Sequence, residues 1–274
     1  MIGTIEDVEG FELASVTDFW RRWYSPSNAI LVLVGNFEEA EALERVQHWF
    51  SDVPPRPAAE RVSKDFEGPR DPTDLPAREG VVFDEVPDRT RFLTWAIPGV
   101  SHADSEALEV LSWVLSGGRG TRLEDALYYE RNLTTDATAY AWASDLDGSF
   151  IVEATTNKKR TTAVDRVTRR VIDSLVDEPP TALELDRAKK SIYAGLADSM
   201  EMPEGRAEQL AECMRITGEP NCLESRWARV EAVTAEDVQR VAATWLAEAN
   251  QVGLTVLPHE ARGFDADATV VELP

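Results

Sequence analysis

A helix followed by an apolar strand occurs near both ends of this 274-residue chain, in two copies about 220 residues apart. In each copy the helix carries apolar residues at positions i, i+3, i+4 and i+7, which form one apolar face. An asparagine then precedes the strand. The helical stripes are Val16, Phe19, Trp20 and Trp23 in the first copy, and Val238, Val241, Ala242 and Trp245 in the second. A period of this length indicates a duplicated domain, because the units of solenoids are far shorter.

A capping motif is predicted at the start of each of these helices. Ser15 to Asp18 and Thr234 to Asp237 both place an acid three positions after a hydroxyl residue, which is the spacing of a capping box. The second copy has about 170 residues of its own ahead of this motif, whereas the first has 14. We therefore expect the first domain to be represented only by its C-terminal part.

A proline-rich stretch lies between the two copies. Six prolines occur among many charged residues, at positions 54, 55, 57, 69, 72 and 76. Proline removes a backbone donor and fixes φ, so this stretch is not expected to form a core element. We predict three segments: a C-terminal domain remnant at 1–53, a linker at 54–78 and a second domain at 79–274.

Apolar periodicity predicts the elements of both segments. In the remnant, the apolar run 29–34 is typical of a strand buried on both faces, and 38–50 of an amphipathic helix. The second domain is predicted to contain strands at 80–86, 91–97, 135–143, 149–155 and 251–257. Its helices are predicted at 104–115, 121–131, 161–176, 181–201, 204–217, 222–231 and 234–246, with a glycine-rich turn at 117–120.

Composition excludes several classes of function. The net charge is −22 and no basic patch is present, so binding to nucleic acid is not expected. No segment reaches 18 consecutive apolar residues and the first ten residues lack a signal-peptide pattern, so we expect a soluble protein of the cytoplasm or periplasm. The turn at 117–120 lacks the Lys-Ser/Thr of a phosphate loop, and 145–148 lacks the closing Glu of a calcium loop.

The chain has two cysteines, Cys213 within a predicted helix and Cys222 beyond the helix end. There is no CxxC motif and no accompanying histidine, so a zinc knuckle is not expected. Two ordinary thiols are the favoured interpretation. A disulfide across the end of that helix is the alternative.

Residues 2–35 resemble a characteristic stretch of the pitrilysin/insulinase family of zinc peptidases, which includes the mitochondrial processing peptidases. The shared features are a Gly-x-x-Glu-Asp segment, a Tyr-x-Pro-x-Asn turn and a glycine that ends an apolar strand, here Gly3, Glu6, Asp7, Tyr24, Pro26, Asn28 and Gly35. In the second domain, residues 95–98, Asp104, Leu108, Leu111 and the run LSGGRGTRLEDAL at 115–127 resemble the family's strand, helix and glycine-rich turn. The resemblance covers nearly the whole chain.

The resemblance implies an α+β fold, with a mostly antiparallel sheet packed by helices in each domain. Two such domains form half of a hollow peptide-binding chamber, and a His-x-x-Glu-His motif of the family holds the zinc. The chain lacks that motif, since its histidines, His48, His102 and His259, are far apart in sequence. We therefore predict no metal ligand and no catalytic residue in this chain, whereas the complete family member is expected to carry zinc.

The resemblance also implies substrate contacts at the glycine-rich turn, at Gly117, Gly118, Arg119 and Arg122. Some members of the family add an Arg and a Tyr, seven residues apart, that contact substrate and stabilise the transition state. Tyr128 and Thr135 occupy those two positions here, while Arg131 and Tyr140 lie nearby at a different spacing. The second domain is therefore expected to lack this pair.

Two functions fit these features. The chain is predicted to be part of a zinc metallopeptidase, as the non-catalytic wall of its peptide-binding chamber, and to be inactive alone. The alternative is a non-catalytic partner or scaffold subunit of the same fold. The expected partners are a peptide or unfolded polypeptide substrate and either a second peptidase-like half or further copies of the chain. A strand at 29–34 without its sheet would expose unpaired backbone groups, so residues 1–52 are expected to pack on the second domain, on another copy or on a missing chain.

Overall fold

A computed structural model describes residues 3–57, 78–158, 161–259 and 269–270. The chain divides into two compact units. Of the described residues, unit 1 contains 3–57 and 197–223, and unit 2 contains 78–158, 161–196, 224–259 and 269–270. Most of the predicted linker lies outside the described residues, and so does the C-terminal end of the predicted second domain.

The described residues form helices and strands in the following order. The remnant contains α1 (Ile5–Glu9), α2 (Leu13–Trp23), a 3₁₀ turn (Pro26–Asn28) and α3 (Glu39–Phe50). There follow β1 (Glu79–Asp84), β2 (Arg89–Pro98), α4 (Ser105–Ser116), α5 (Arg122–Glu124), a π-helical turn (Asp125–Tyr129), β3 (Asp136–Ala143), β4 (Asp147–Thr156), α6 (Thr162–Asp177), α7 (Ala182–Ser199), α8 (Pro203–Thr217), α9 (Leu223–Ala232), α10 (Ala235–Trp245), a second 3₁₀ turn (Glu248–Asn250), β5 (Val252–Pro258) and β6 (Thr269–Val270).

The predicted α+β fold is confirmed in unit 2. Its described strands form one sheet in the order β3-β4-β2-β5-β1-β6. The pairs β3–β4, β4–β2 and β2–β5 are antiparallel, whereas β1 runs parallel to both β5 and β6. The chain thus returns from its last helix, α10, to insert β5 between β1 and β2.

Helices α4, α6 and α10 form the core of unit 2 with one face of the sheet. Trp95, Phe150 and Val152 point from the central strands into this core and are almost completely buried. The indole of Trp95 donates to the carbonyl oxygen of Ala247 at 3.1 Å, which fixes the end of α10 over β2. Apolar burial on this scale provides most of the stability of a domain. The other face of the sheet is only half-buried, since the alternate residues of β2, β4 and β5 remain partly accessible.

The predicted strand at 29–34 is wrong for the described part of the chain. These residues are not paired with any strand that the structure describes, and Ile30, Leu31 and Leu33 are exposed. The apolar run has strand character, but a strand needs neighbours to satisfy its backbone groups. Leu31 and Leu33 instead line an open groove of about 490 Å³ beside α3.

The predicted cap at Ser15 is also wrong, because α2 begins two residues earlier, at Leu13. The Ser15 hydroxyl lies within the helix and donates to the carbonyl oxygen of Glu12 at 2.8 Å. A capping box does occur nearby, between Thr4 and Asp7 at the start of α1. Thr234 and Asp237 form the predicted capping box of α10.

Cys213 and Cys222 form a disulfide, so the favoured interpretation as two free thiols is wrong and the alternative holds. The bridge joins the last turns of α8 to the residue before α9. Gly218 provides the left-handed C-cap of α8 (φ 78°), which reverses the chain and brings the two sulfur atoms together.

Candidate functional site

The glycine-rich turn joins α4 to α5, and its glycines are explained by the backbone. Gly118 and Gly120 have positive φ angles of 121° and 75°, which glycine adopts most readily. At Gly117 a Cβ would lie 2.4 Å from the Trp113 ring. The carbonyl oxygen of Gly120 accepts from the Arg187 guanidinium at 2.8 Å. The conformation of the turn is therefore fixed by its glycines and by Arg187. The Arg119 side chain is exposed on this turn.

Arg122 is held by a carboxylate. Its Nε and Nη2 donate to the two oxygens of Glu184 at 2.7 and 3.1 Å. Glu184 also accepts from the Thr181 backbone N–H, which completes a capping box at the start of α7. The Arg122 hydrogen bond, partly opposed by burial, lowers the pKa of Glu184 from 4.5 to about 2. This ion pair fixes α5 against α7.

A cleft of about 180 Å³ opens beside the turn. Tyr128 and Thr135, which occupy the positions of the family's Arg and Tyr, both line this cleft. So do Thr121 and Glu124. The Thr121 hydroxyl is completely buried, and neither it nor Glu124 Oε2 has a hydrogen-bond partner among the described residues. These two atoms lie behind the cleft surface, and none of the described residues that line the cleft has a cationic side chain. Arg131 instead bonds to the carbonyl oxygen of Ala126.

The cleft continues along β3, which forms one edge of the described sheet. The Ser116 hydroxyl closes part of this edge, because it accepts from the N–H of Ala139 and donates to the carbonyl oxygen of the same residue at 3.0 Å. Backbone groups alternate in direction along an antiparallel strand, so those of Ala137 and Ala141 also point outward. An edge of this kind accepts an extended chain by main-chain pairing.

Two aromatic side chains mark the half-buried face of the sheet beside this edge. Tyr140 and Trp142 lie on β3, and Trp142 is 70% exposed. The strand register places Ile151 of β4 opposite Tyr140, and Thr94 of β2 opposite Ile151, so the same surface continues across these strands. Burial, with the nearby Glu153 carboxylate, raises the pKa of Tyr140, so its phenol stays neutral. We name this surface, from β3 across β4 to β2, the open sheet face. Sequence reasoning missed Trp142, although the alternation in 136–143 places it opposite the core residue Ala139.

The three histidines lie on separate elements: His48 on α3, His102 before α4 and His259 after β5. In the ranges that the structure describes, no group of His, Cys, Asp and Glu side chains has an arrangement that would hold a metal ion. His102 accepts from the backbone N–H of Asp104 at 3.0 Å. Burial raises the pKa of Asp104, but bonds from Arg240 and the Trp245 indole outweigh this and lower it overall. This cluster joins α4 to α10 and does not fit a zinc site.

Metal analysis tests the prediction that this chain, unlike a complete zinc peptidase, holds no zinc ion by itself. The purified chain is expected to hold well under one zinc ion per molecule after dialysis against micromolar zinc, because among the described residues the side chains that zinc prefers do not converge. Inductively coupled plasma mass spectrometry measures the content. One zinc ion retained per chain would contradict the prediction.

Comparison with known proteins identifies the architecture. Residues 10–192 match the family described as the peptidase M16 inactive domain. The chain belongs to this family. The pitrilysin/insulinase-type family predicted from the sequence is thereby confirmed, as is the assignment to its non-catalytic portion. A zinc protease of Mycobacterium tuberculosis is 27% identical over 273 residues, which cover 94% of this chain and 58% of the relative. The zinc protease PqqE of Helicobacter pylori is 24% identical over 208 residues.

Solved structures show the same fold. A protease from Helicobacter pylori superposes with a TM-score of 0.77 at 19% identity, over 94% of this chain and 62% of that chain. An M16-like peptidase from Alicyclobacillus acidocaldarius gives a TM-score of 0.78 at 17% identity, over 93% and 60%. The chain thus spans about three-fifths of these M16-type proteins. Among the described residues no helix is long and apolar enough to cross a bilayer.

Proposed function

We propose that this chain is the non-catalytic half of an M16 zinc peptidase and provides one wall of its peptide-binding chamber. The open sheet face carries the proposal, because a half-buried sheet with an exposed tryptophan and an accessible edge suits an extended polypeptide. Zinc and the groups that activate water belong, in this proposal, to the second peptidase-like half. No catalytic step is assigned to the residues of this chain.

The glycine-rich turn is proposed to form the rim of this wall. Gly118 is proposed to let the backbone approach a bound chain closely, since a side chain there would point into open space. Gly117 is proposed to keep the turn in this shape, because a Cβ there would meet the Trp113 ring. Arg119 is exposed there and offers guanidinium donors to peptide carbonyl oxygens. Arg122, also predicted to contact substrate, is proposed to act through its ion pair with Glu184, which holds α5 and the turn in place.

Polypeptide binding tests the proposal. Reduced and carboxymethylated α-lactalbumin, labelled with fluorescein, is a permanently unfolded probe, and its dissociation constant is measured by fluorescence anisotropy. Trp142→Ala is expected to weaken binding about 5- to 10-fold, because truncating a large exposed aromatic in a binding surface typically costs more than about 1 kcal/mol. Trp142 is highly exposed, so its replacement is not expected to change the stability of the sheet.

Trp49→Ala is the matched control, since Trp49 is equally exposed but lies on α3 in unit 1. It is expected to leave the affinity within about 2-fold of the unaltered chain. Equal weakening by both variants would indicate unspecific binding to exposed aromatics, and no effect of Trp142→Ala would exclude the open sheet face. If an assembled complex with its second half holds no zinc and cleaves nothing, the scaffold role replaces the peptidase role.

A further inference from the structure

A carboxylate lies in the middle of the open sheet face. The strand register places Glu153 of β4 opposite Thr138 of β3 on one side and opposite Phe92 of β2 on the other. The residues before and after it on this face of β4 are Ile151 and Thr155, because alternate residues of a strand point to the same side. The carboxylate is therefore surrounded by apolar and hydroxyl-bearing side chains.

The Glu153 side chain is half-buried, yet no described residue forms a hydrogen bond or an ion pair with its carboxylate. Strand alternation places the arginines of β2, Arg89 and Arg91, on the opposite face of the sheet. The other acids on this face of β3 and β4, Asp136 and Asp147, lie at strand ends. A charge that is partly removed from water is unfavourable unless a partner replaces the water. Within the described part of the chain, Glu153 lacks such a partner.

Two aromatic rings flank this carboxylate. Tyr140 lies opposite Ile151 and is therefore the diagonal neighbour of Glu153, while Phe92 is its direct neighbour on β2. Burial raises the pKa of Tyr140 and the Glu153 charge adds to this effect, which agrees with the short separation that the register gives. The face of an aromatic ring attracts a cation through its quadrupole. The rings and the carboxylate therefore favour the same kind of ligand, a positively charged group.

We propose that Glu153, with the rings of Tyr140 and Phe92, forms a subsite for a basic side chain of an extended polypeptide bound on the open sheet face. Arginine fits best, because a guanidinium forms two parallel hydrogen bonds with a carboxylate and also stacks on aromatic rings. This inference rests on the proposed chamber wall and names the class of segment that the wall selects. Such a segment has one basic residue among apolar and hydroxyl-bearing ones, whereas an acidic residue at the same place would meet Glu153 as a like charge.

Two matched peptides test the subsite. The first is a short fluorescein-labelled peptide of alternating threonine and valine with one central arginine, and the second has citrulline in place of that arginine. Citrulline has nearly the same shape but no charge. Fluorescence anisotropy measures both dissociation constants in about 0.3 M sodium chloride, which screens the diffuse acidity of the chain. The arginine peptide is expected to bind at least about 5-fold more tightly than the citrulline peptide.

Two variants of equal charge locate the source of this preference. Glu153→Gln keeps the size of the side chain and is expected to reduce the ratio of the two dissociation constants to below about 2-fold. Glu178→Gln removes the same charge from an exposed residue at the end of α6, which packs on the other face of the sheet. This control is expected to leave the ratio unchanged. Circular dichroism verifies that both variants keep the fold.

Equal binding of the two peptides would overturn the proposal. So would a ratio that Glu178→Gln reduces as much as Glu153→Gln does, because the preference would then come from the net charge of −22. Trp142→Ala is expected to weaken both peptides by the same factor and to preserve their ratio. If the ratio is absent while unfolded α-lactalbumin still binds through Trp142, the subsite fails and the chamber wall stands. Loss of α-lactalbumin binding to the unaltered chain would instead remove both.

Discussion

Replacing Arg91 by alanine is expected to lower the free energy of unfolding of unit 2 by about 2–3 kcal/mol, less than for a fully buried pair because Glu79 and Asp165 are 47% and 30% exposed. Arg91 lies in the centre of the sheet on β2, and its side chain is 3% exposed. Its Nε and Nη2 donate to the two oxygens of Asp165 at 2.9 and 3.0 Å, and it contacts Glu79 at 2.8 Å. Truncation leaves two carboxylates facing each other without a cation.

The loss of stability in this variant arises mainly because two carboxylates are left without a cation. The lost attraction between Arg91 and these carboxylates contributes less. Burial raises the pKa of Asp165, although Arg91 opposes this. Burial likewise lowers the pKa of Arg91, but Glu79 and Asp165 outweigh it and the guanidinium stays charged. Removing the cation therefore leaves Asp165 with an unfavourable environment for its charged form, and Glu79 adds a like charge. The same bonds join β1, β2 and α6, so the variant is expected to loosen all three.

Lys190→Ala is the control for Arg91→Ala. The Lys190–Asp186 pair has the same 2.8 Å separation as Arg91–Glu79, but both side chains are more than half exposed on α7. Such a pair contributes less than about 0.5 kcal/mol, because water screens it. Urea unfolding followed by circular dichroism measures both variants. A loss below about 1 kcal/mol for Arg91→Ala would show that the pocket relaxes or admits water and that the network is not essential.

The sequence predicted most helices and strands of unit 2 because their signals are local. Apolar periodicity located α4, α6 and α10, and the turn residues located the β3–β4 hairpin. Prediction from the sequence failed where the structure depends on residues that are far apart in the chain. Residues 29–34 have the composition of a buried strand, but pairing needs neighbours that the described chain does not supply. Arg91 is similar, since a lone arginine in a strand gives no signal that Glu79 and Asp165 converge on it.

The candidate site was predictable in part for the same reason. Motif resemblance led to the glycine-rich turn, and the structure places it at the rim of a cleft beside β3. Resemblance alone did not show that Arg122 is engaged by Glu184, because the two residues lie 62 positions apart. Nor did it show that Ser116 closes part of the β3 edge. A motif gives residue types at a place in the chain, whereas their availability to a ligand depends on long-range contacts.

The Arg122–Glu184 pair is expected to make the free energy of unfolding depend on pH in the acidic range. The pKa of Glu184 is lowered in the folded chain from 4.5 to about 2, so its contribution is complete above pH 4.5 and is lost as pH falls through 2. The side chain is 20% exposed, and the lowered pKa corresponds to about 3 kcal/mol. Glu184→Gln keeps an acceptor for Thr181 but removes the charge that Arg122 binds. Urea unfolding at steps from pH 7 to pH 2 is expected to show the variant less stable near neutrality and the difference shrinking between pH 4.5 and 2. A constant difference across that range would mean that Arg122 does not depend on the Glu184 charge and is available to bind a substrate carboxylate or carbonyl group.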